Sequence, residues 1–432
     1  MGIVDHVLTP SRPATFDRSA ARLRYLSNRN RSAELFALVD PSTYYERPIS
    51  LRHPVVFYEG HYPAFSFNKV IREALGGGSI DPDLETLFER GIDPGSVAEA
   101  GRYAPAAWPV RQRVQAFGAA CDARVLHAFA TADLSDAAAS PMLDRAQVAY
   151  TILEHEEMHH ETLAYMLHRV PLEKKRTRGR SLAFVEREPL ASGRVSIPAG
   201  RATLGARRDA LTFGWDNEFG ETPVEVAAFE IDCNDVTNGE WLAFMRAGGP
   251  LPPFWIERAG ELRLLGMFEE MPLPRSWPVY VTNAQARAYA AWRGSRLPTE
   301  AEYHRAAFGT PNGEERAFPW GDAEPTSKHG NFDFRRFDPE PVGQSPLGAS
   351  AFGVYDLIGN GWEWTSTEFA PLPGFSAMAS YPQYSADFFD GEHYIVKGAS
   401  PVTNRNHVRR SFRNWYRGDY PYMYATFRTV AG

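Results

Sequence analysis

Cysteine is scarce in this 432-residue sequence, which contains only Cys121 and Cys233. Two cysteines are too few for a disulfide framework, and these two lack the close spacing of a zinc-binding pair. We therefore expect both to be reduced thiols in a cytoplasmic protein.

Long apolar segments and basic tracts are also missing. No run of about 18 apolar residues is present, as a membrane-spanning helix would need. Residues 1–6 do not start a basic region followed by an apolar core, as an export signal would. Lys and Arg number 46 against 53 Asp and Glu, which gives a formal net charge of −7. The sequence thus predicts a protein with neither a membrane nor a nucleic-acid partner.

Glycine, proline and aromatic residues are abundant instead, with 35 Gly, 33 Pro, 10 Trp and 19 Tyr. We therefore expect much turn-rich structure held by aromatic packing. Helical patterns at 18–39, 110–131 and 140–170 predict a four-helix bundle in the first half of the chain.

The second half has a different pattern. Short strand-like pieces, broken by Gly, Pro, Asn and Asp, follow a basic stretch at 173–180 that is typical of a linker. We predict two domains: an α-helical bundle at 1–184 and a loop-rich α+β domain at 185–432.

The strongest chemical pattern is a pair of histidines, His155 and His159, in the helix predicted for 140–170. Ser140 and Pro141 fit its cap and first position. Residues four apart share a helix face, so both imidazoles can reach one metal ion. An apolar stripe directs them into the bundle, and its members are Val148, Ile152, His155, His159, Leu163, Met166 and Val170.

Two other interpretations of this helix stay open. The histidines can be a hydrogen-bonded core pair, because buried polar groups need partners. The five residues from His155 to His159 also match the His-Glu-x-x-His pattern of zinc proteases. Exposed acidic residues are common on helices, so the polar neighbours do not decide the matter; they are Glu156, Glu157, His160 and Glu161.

A third ligand is available earlier in the chain. Tyr58, His61 and Phe65 share one face if their segment is helical, which places His61 in the bundle interior. Gly60 and Pro63 predict a kink there. Three neutral imidazoles leave open positions on an iron, zinc or copper ion for substrate or oxygen. A buried core histidine is the alternative for His61.

With these residues, the first half resembles the DinB-type helical bundles. In that fold, a histidine from an early helix joins a His-x-x-x-His-x-Glu helix around a metal ion. His61, His155 and His159 fit this pattern, and Glu161 completes the motif.

The second half resembles the formylglycine-generating-enzyme (sulfatase-modifying factor) domain, whose fold is similar to C-type lectin-like modules. Six blocks match in the expected order: 197–205, 236–241, 292–303, 318–322, 359–366 and 397–400. The most specific block reads WRGSRLPTEAEY and spans 292–303.

The order of these two domains is similar to that in the nonheme-iron sulfoxide synthases of ergothioneine and ovothiol biosynthesis, and in selenoneine synthase. The resemblance covers nearly the whole chain. It implies Fe(II) held by His61, His155 and His159, with oxygen and a histidine-derived substrate bound beside it. We expect a monomer or homodimer that acts on small molecules.

The resemblance also implies residues for the histidine-derived substrate. Asn414 and Trp415 match the family's Asn-Trp pair, which helps to hold trimethylated histidine, hercynine. An aromatic face attracts a quaternary ammonium by about 0.5–2 kcal/mol, and an amide can orient a carboxylate. Tyr381 and Tyr384 are candidates for the tyrosine that supplies a proton or electron near the metal.

The residues at the positions expected to bind the chalcogen donor depart from the family's pattern. Tyr416 and Tyr420 stand where synthases that use γ-glutamylcysteine carry an aspartate and an arginine. Arg111 ends a Trp-Pro-Val-Arg segment in place of their Ser-Arg-Pro, and Met158 stands where they often carry glutamine. A neutral, tyrosine-rich pocket favours cysteine or a neutral selenosugar over an anionic peptide.

We therefore predict Fe(II)- and O2-dependent formation of a C–Se or C–S bond on the imidazole of hercynine, with selenosugar as the favoured donor. The alternatives are an ergothioneine-type sulfoxide synthase that uses cysteine or γ-glutamylcysteine, and a metal-dependent thiol transferase. Formylglycine generation needs a cysteine pair in the second domain, where Cys233 stands alone. A non-enzymatic, lectin-like binding protein is a further alternative.

Overall fold

The protein is represented by a computed structural model that describes residues 16–89, 91, 94, 96–102, 105–176, 186–189 and 191–432. Within those ranges, no helix is both long and apolar enough to cross a membrane. Several predictions fall outside the described residues: the amino-terminal segment 1–6, the second half of the basic stretch 173–180, and the boundary between 184 and 185.

The first half of the chain folds into a helical bundle, which confirms the predicted fold class. Its helices are α1 (Arg18–Phe36), α2 (Val55–Phe67), α3 (Pro82–Leu87), α4 (Val97–Arg102), α5 (Arg111–Thr131) and α6 (Gln147–His168). Helix α2 packs against α5 and α6, and α1 packs against α5 and α6, around one apolar core. Helices α3 and α4 are short and connect the longer ones.

Helix α2 continues without interruption through the two residues that predicted a kink. Pro63 lies inside the helix, which continues to Phe67 and then changes to a π-helical segment at Asn68–Ala74. Gly60 is required by packing, because a Cβ at this position would lie only 2.6 Å from the ring of Phe88. The irregularity therefore lies at the carboxyl end of α2, beyond the proline.

The start of α6 differs from the prediction. Ser140 caps a 3-10 segment at Pro141–Ala146, where its hydroxyl accepts a hydrogen bond from the N–H of Met142 at 3.3 Å. Arg145 and Ala146 then adopt left-handed backbone angles, with φ of 53° and 57°. Because left-handed residues interrupt a right-handed helix, α6 begins only at Gln147.

The second half is an α+β domain, also as predicted. Its helices are α7 (Asn238–Arg246), α8 (Asn283–Trp292) and α9 (Glu300–Phe308). Each starts with a capping box in which a threonine and the residue three positions later exchange hydrogen bonds; the pairs are Thr237 with Glu240, Thr282 with Gln285, and Thr299 with Glu302. These boxes satisfy N–H groups that the first helical turn leaves unpaired.

The strands of this domain are short. They are β1 (Arg194–Ile197), β2 (Gly200–Leu204), β3 (Thr222–Val226), β4 (Phe229–Asp232), β5 (Trp255–Arg258), β6 (Glu261–Leu265), β7 (Glu270–Pro272), β8 (Ser295–Arg296), β9 (Gly361–Glu368), β10 (His393–Ala399), β11 (Asn414–Arg417), β12 (Ala425–Thr426) and β13 (Val430–Ala431). The strand orders are β1-β4-β13-β8, β11-β10-β9-β12, β5-β6-β7 and β2-β3. Long loops join these small sheets.

Strand β11 carries the Asn-Trp pair at the edge of a sheet. It pairs antiparallel with β10, with Asn414 opposite Val396 and Trp415 opposite Ile395. Val396 and Ile395 are fully buried, so this register is fixed by the core.

Helix α6 joins the two domains through a stripe of carboxylates. Glu154, Glu157 and Glu161 are spaced three and four residues apart, so they share one face of the helix. All three are buried. These carboxylates are therefore not the exposed acidic groups that are common on helices.

Each of these carboxylates has a partner in the second domain, and Glu157 is also bound by Arg24 of α1 at 2.6 and 2.7 Å. Glu154 accepts hydrogen bonds from Arg409 at 2.9 and 3.0 Å, and Glu157 accepts one from Asn406 at 2.8 Å. Glu161 accepts three, from the indole of Trp362 (2.7 Å) and the hydroxyls of Ser400 (2.6 Å) and Thr403 (2.9 Å). Buried charges need such partners, so the stripe fixes how the domains dock.

Arg409 is the central cation of this interface. Its guanidinium also binds Glu218 of the second domain, at 2.5 and 2.8 Å. Burial raises the pKa of Glu218, but the charge and hydrogen bonds of Arg409 outweigh it and hold that pKa below its usual range. Arg409 therefore neutralises one carboxylate from each domain.

We expect Arg409→Met to lower the free energy of unfolding by about 3–5 kcal/mol, because Glu154 and Glu218 would stay buried without their cation. Urea unfolding at pH 7 measures this loss. Arg207→Gln is the control, since it breaks an ion pair with Asp209 whose side chains are 62% and 55% exposed, and it should change stability by less than about 0.5 kcal/mol. Similar losses in the two variants would contradict the assigned role of Arg409.

Candidate metal centre and substrate cavity

The three predicted histidines meet in the interior of the bundle. His61 comes from α2, and His155 and His159 come from consecutive turns of α6. Ligand atoms from the three side chains all lie within 4.8 Å of one another. The Nε2 atoms of His61 and His159 are 3.3 Å apart. Two nitrogens bound to one ion at about 2.1 Å have a similar separation, so the cluster has the size of a metal site.

Hydrogen bonding fixes the tautomer of His61. Its Nδ1 lies 2.8 Å from the carbonyl oxygen of Phe88, which can only accept, so Nδ1 donates. Nε2 is therefore the unprotonated nitrogen and faces His159. A backbone carbonyl that orients a ligand in this way is common behind metal-binding histidines.

Burial keeps the three imidazoles neutral. It lowers the pKa of His61 to about 4. Burial, together with the charges of the neighbouring imidazoles, moves the pKa values of His155 and His159 well below their usual range. Neutral imidazoles are the form that binds a metal ion, so protons compete little for this site at neutral pH.

Aromatic rings hold the histidines in place. The ring of His155 stacks on Phe65 at 3.5 Å, and the ring of His61 stacks on Phe57 at 4.8 Å. Tyr58 lies 5.9 Å from the ring of His159. Tyr58, His61 and Phe65 thus point into one interior, as the helical spacing predicts.

Glu161 takes no part in this cluster. It completes the sequence motif, but its carboxylate is held by Trp362, Ser400 and Thr403 on the side of the second domain. Burial, which outweighs those hydrogen bonds, raises its pKa. The group of possible ligands within the described residues is therefore three histidines without a carboxylate, and three imidazoles leave coordination positions open.

A cavity of about 200 Å³ lies between α6 and the second domain. Two of the clustered histidines open into it, together with residues from both halves of the chain. Its lining consists of Arg52, His155, Met158, His159, Glu161, Thr162, Tyr165, Trp362, Tyr381, Tyr384, Phe388, His393, Thr403, His407, Phe412, Asn414, Trp415, Tyr416, Arg417 and Tyr420.

Most of the predicted substrate residues lie on this cavity. The structure places Met158, Tyr381, Tyr384, Asn414, Trp415, Tyr416 and Tyr420 there. Arg111 is not brought to the cavity. It begins α5, where Glu59 binds its guanidinium at 2.9 Å and the ring of Tyr44 lies 4.6 Å away. These contacts hold Arg111 away from the site, so we withdraw it as a substrate-binding residue.

The two candidate tyrosines have different surroundings. The ring of Tyr381 is 6.1 Å from that of His155 and 5.3 Å from that of Phe65, so Tyr381 lies beside the histidine cluster. The ring of Tyr384 stacks on Trp215 at 3.9 Å, and its hydroxyl donates to the sulfur of Met158 at 3.4 Å. Burial raises the pKa of Tyr384 well above its usual range, so this hydroxyl keeps its proton.

Trp415 is enclosed by aromatic rings. Phe369 stacks on it in parallel at 4.2 Å, Tyr384 meets it edge-on at 5.1 Å, and Phe388 lies 5.6 Å away. The side-chain oxygen of Asn414 accepts a hydrogen bond from the Trp415 N–H at 2.9 Å, which orients the amide. The cavity therefore has an aromatic wall next to an oriented amide.

Sequence reasoning missed several cavity residues, notably Arg52, Tyr165 and His407. Arg52 precedes α2, Tyr165 lies one to two turns beyond the histidine pair, and His407 ends a short 3-10 segment between β10 and β11. The position of Tyr165 could have been found, because it lies four residues after Glu161 on α6. Arg52 and His407 belong to no recognisable pattern and reach the cavity through tertiary structure alone.

Two family models match the chain in the same order as its two domains. Residues 24–163 match the DinB superfamily, and residues 182–432 match the sulfatase-modifying factor enzyme 1-like domain. Hercynine oxygenase of Mycolicibacterium smegmatis is 36% identical over 308 residues, which cover 65% of this chain and 69% of that protein. The chain belongs to the hercynine oxygenase family. Its histidine cluster and its aromatic wall are thus features of a member of that family.

Two other relatives are matched by this chain over a smaller share of their own length. Hercynine oxygenase of Mycobacterium tuberculosis is 38% identical over 237 residues, which cover 50% of this chain and 54% of that protein. Ergothioneine biosynthesis protein 1 of Neurospora crassa is 27% identical over 486 residues, which cover 89% of this chain and 54% of that protein. The chain thus spans about half the length of these two relatives.

We expect the chain to bind one divalent transition-metal ion, and we expect His155→Asn and His159→Asn each to weaken binding at least about 10-fold, since each removes a ligand. Titration of metal-free protein with Co(II), followed by visible absorption, measures the affinity. His127→Asn changes an exposed histidine of α5 and serves as the control. Equal Co(II) affinity in all variants would show that the cluster is only a packed core.

The buried His407 should make the free energy of unfolding depend on pH. Its Nε2 lies 3.6 Å from Glu154, yet Arg409 already binds that carboxylate, and burial lowers the pKa of His407 to about 3. Between pH 6.5 and about 3 the unfolded chain takes up a proton at this residue and the folded chain does not, so stability falls as the pH falls.

We expect His407→Gln to reduce the slope of unfolding free energy against pH by about 1.2 kcal/mol per pH unit between pH 5 and 6, because one proton less is taken up on unfolding. Urea unfolding of the metal-free protein across this range gives the slope. His127→Gln is the control at an exposed site. An unchanged slope in His407→Gln would mean that this side chain is protonated in the folded protein.

Proposed function

We propose that this protein catalyses the oxygen-dependent joining of sulfur or selenium to the imidazole ring of hercynine, with Fe(II) held by His61, His155 and His159. The observation that carries this proposal is that two of the clustered histidines share one cavity with Asn414 and Trp415. Relatives named hercynine oxygenase support the same substrate and reaction. Hercynine and a metal ion held by these histidines can therefore meet in one cavity.

Hercynine suits the aromatic wall. Its quaternary ammonium carries a charge without a hydrogen-bond donor, and such a cation is attracted to aromatic faces. Trp415, Tyr384 and Phe388 supply these faces. The amide of Asn414 beside them can orient the carboxylate of hercynine. This placement leaves the imidazole ring free to point toward His155 and His159.

The residues around the cluster suit oxidative chemistry. The ion would supply oxygen activation, for which three neutral imidazoles leave positions open. Tyr381, beside His155, is our first candidate for proton or electron supply, because its ring is the nearer of the two to the histidines. Tyr384 keeps its proton and anchors Met158, so we assign it a packing role in the wall.

The donor is proposed to be a small thiol or selenol, with a selenosugar favoured. Tyr416 and Tyr420 line the cavity without a charge of their own, and their rings stack at 5.5 Å. An uncharged aromatic surface suits a sugar better than an anionic dipeptide. Cysteine is the second candidate, because Arg52 adds one positive charge to the same part of the cavity.

The experiment that tests this proposal is an anaerobically reconstituted Fe(II) assay with hercynine and oxygen, run with a selenosugar, cysteine or γ-glutamylcysteine. We expect oxygen uptake and a product whose measured mass shows that it contains both hercynine and selenium. A sulfoxide from a thiol would keep the reaction class and change the donor. Turnover without oxygen, or with Zn(II) in place of Fe(II), would instead indicate a thiol transferase.

We expect Trp415→Leu to raise the KM for hercynine by about 2–30-fold, the loss of one cation–π contact, with little change in the KM for the donor. Trp415→Phe keeps an aromatic face and should retain most of the affinity. Steady-state kinetics with each substrate varied in turn measures both constants. Equal losses in the two variants would mean that Trp415 acts through packing rather than through its π face.

A further inference from the structure

Tyr381 and Tyr384 lie in a long connection between β9 and β10, the β9–β10 loop, at residues 369–392. The structure describes all of this loop, which is irregular apart from a 3-10 segment at Ala386–Phe388. Loops longer than about 12–15 residues without secondary structure of their own are uncommon in compact domains and often functional. Because this loop brings Tyr381 to the histidine cluster, the contacts that hold the loop decide where the ring of Tyr381 lies.

A hydrogen bond between two buried hydroxyls ties the β9–β10 loop to α6. The Oγ of Ser380 lies 2.7 Å from the Oγ1 of Thr151, and both side chains are fully buried. Thr151 donates its own proton to the carbonyl oxygen of Gln147 at 2.8 Å, so Ser380 is the donor in this pair. The side-chain oxygen of Gln147 is a more distant acceptor for Ser380, at 3.5 Å. Because buried hydroxyls without partners are unfavourable, burial favours this contact.

The hydroxyl contact lies one helical turn before a clustered histidine. Thr151 and His155 are four residues apart on α6, so they share one face of the helix. On the loop, Tyr381 follows Ser380 directly, and its ring lies 6.1 Å from that of His155 and 5.3 Å from that of Phe65. Helix α6 thus binds the loop at Thr151 and contacts its tyrosine one turn later, at His155.

Other contacts hold the β9–β10 loop less directly to α6. The buried carboxylate of Asp216, in the second domain, accepts hydrogen bonds from the hydroxyl of Ser385 at 2.5 Å and from the N–H of Met378 at 3.4 Å. The hydroxyl of Tyr384 does reach α6, where it donates to Met158 at 3.4 Å, but a thioether sulfur is a weak acceptor. The contact between the two buried hydroxyls is therefore the stronger link from the loop to the helix.

We infer that Thr151 and Ser380 are positioning residues for Tyr381, because their hydrogen bond sets how far the ring of Tyr381 lies from His155. This inference rests on the proposed function, in which Tyr381 supplies a proton or an electron. Misplacement of a reacting group by about 1 Å can lower a rate by about 100-fold. Neither Thr151 nor Ser380 is among the described residues that line the cavity, so loss of their contact should lower kcat and leave substrate binding intact.

Kinetics of Thr151→Val and Thr151→Ser test this inference. Valine keeps the size of threonine and removes the hydroxyl, so we expect kcat to fall about 10–100-fold, with the KM for hercynine and for the donor within about twofold. Serine keeps the hydroxyl and should restore most of kcat. Ser380→Ala removes the other partner and should behave like Thr151→Val. An unchanged kcat in Thr151→Val and Ser380→Ala, or an equal loss in Thr151→Ser, would overturn the inference.

A double-mutant cycle shows whether the effect passes through Tyr381. If Thr151 acts by placing Tyr381, Thr151→Val should lower kcat much less in a Tyr381→Phe background than in the parent. Equal losses in the two backgrounds would contradict the positioning role.

Thr365→Val is the matched control for Thr151→Val. Thr365 of β9 is also fully buried, and its hydroxyl donates to the carbonyl oxygen of Ile395 at 2.9 Å. The same substitution therefore removes a comparable hydrogen bond outside the β9–β10 loop, and kcat should stay near that of the parent. A loss of kcat as large as that of Thr151→Val would mean that any buried hydroxyl of this kind matters equally, which would overturn the inference.

Crystal structures of the Zn(II)-loaded parent, Thr151→Val and Thr151→Ser provide a measurement that needs no turnover. We expect the ring of Tyr381 to move away from His155 by about 1 Å in Thr151→Val and to keep its place in Thr151→Ser. A ring that stays 6.1 Å from that of His155 in Thr151→Val would refute the inference. Absence of coupling in the parent with every donor would refute only the proposed function.

Discussion

The buried carboxylate stripe of α6 is the constraint on which the rest of the structure depends. A carboxylate taken out of water is unfavourable unless cations or hydrogen-bond donors replace the water. Glu154 and Glu161 obtain these donors from the second domain, Glu157 obtains them from Asn406 of that domain and Arg24 of α1, and two of the clustered histidines lie on the neighbouring face of the same helix. Helix α6 therefore takes part in both domain docking and the histidine cluster, which His61 of α2 completes, and the cavity lies where the docked domains meet.

The same exclusion of water keeps the clustered histidines unprotonated. Burial lowers the pKa of His61 to about 4 and holds the pKa values of His155 and His159 well below their usual range, so the cluster is neutral without any metal ion. The Nε2 atoms of His61 and His159, 3.3 Å apart, can share one hydrogen bond, and an ion bound by both would take the place of its proton. Burial thus keeps the imidazoles in the form that binds a metal ion, while Phe57 and Phe65 keep the rings from rotating away.

Sequence reasoning succeeded where a pattern is local. The four-residue spacing of His155 and His159 and their apolar stripe predict the face they occupy, and the Asn414–Trp415 pair is found from its motif. Sequence reasoning failed where the side chain is bound by a residue far away in the sequence. Glu59 holds Arg111 away from the cavity, although the motif suggested a substrate contact. The burial of Glu154 depends on Arg409, 255 positions away, which no local pattern of the helix indicates.

The part of the cavity proposed for the donor illustrates why its charges have to be counted in the folded chain and not along the sequence. Along β11 and the loop that follows it, Tyr416 and Tyr420 replace a charged pair, which suggests a neutral pocket. The bundle returns one positive charge to the same place, because Arg52 donates to the hydroxyl of Tyr420. Counting charges along the sequence alone therefore misses a guanidinium that the fold brings to this part of the cavity.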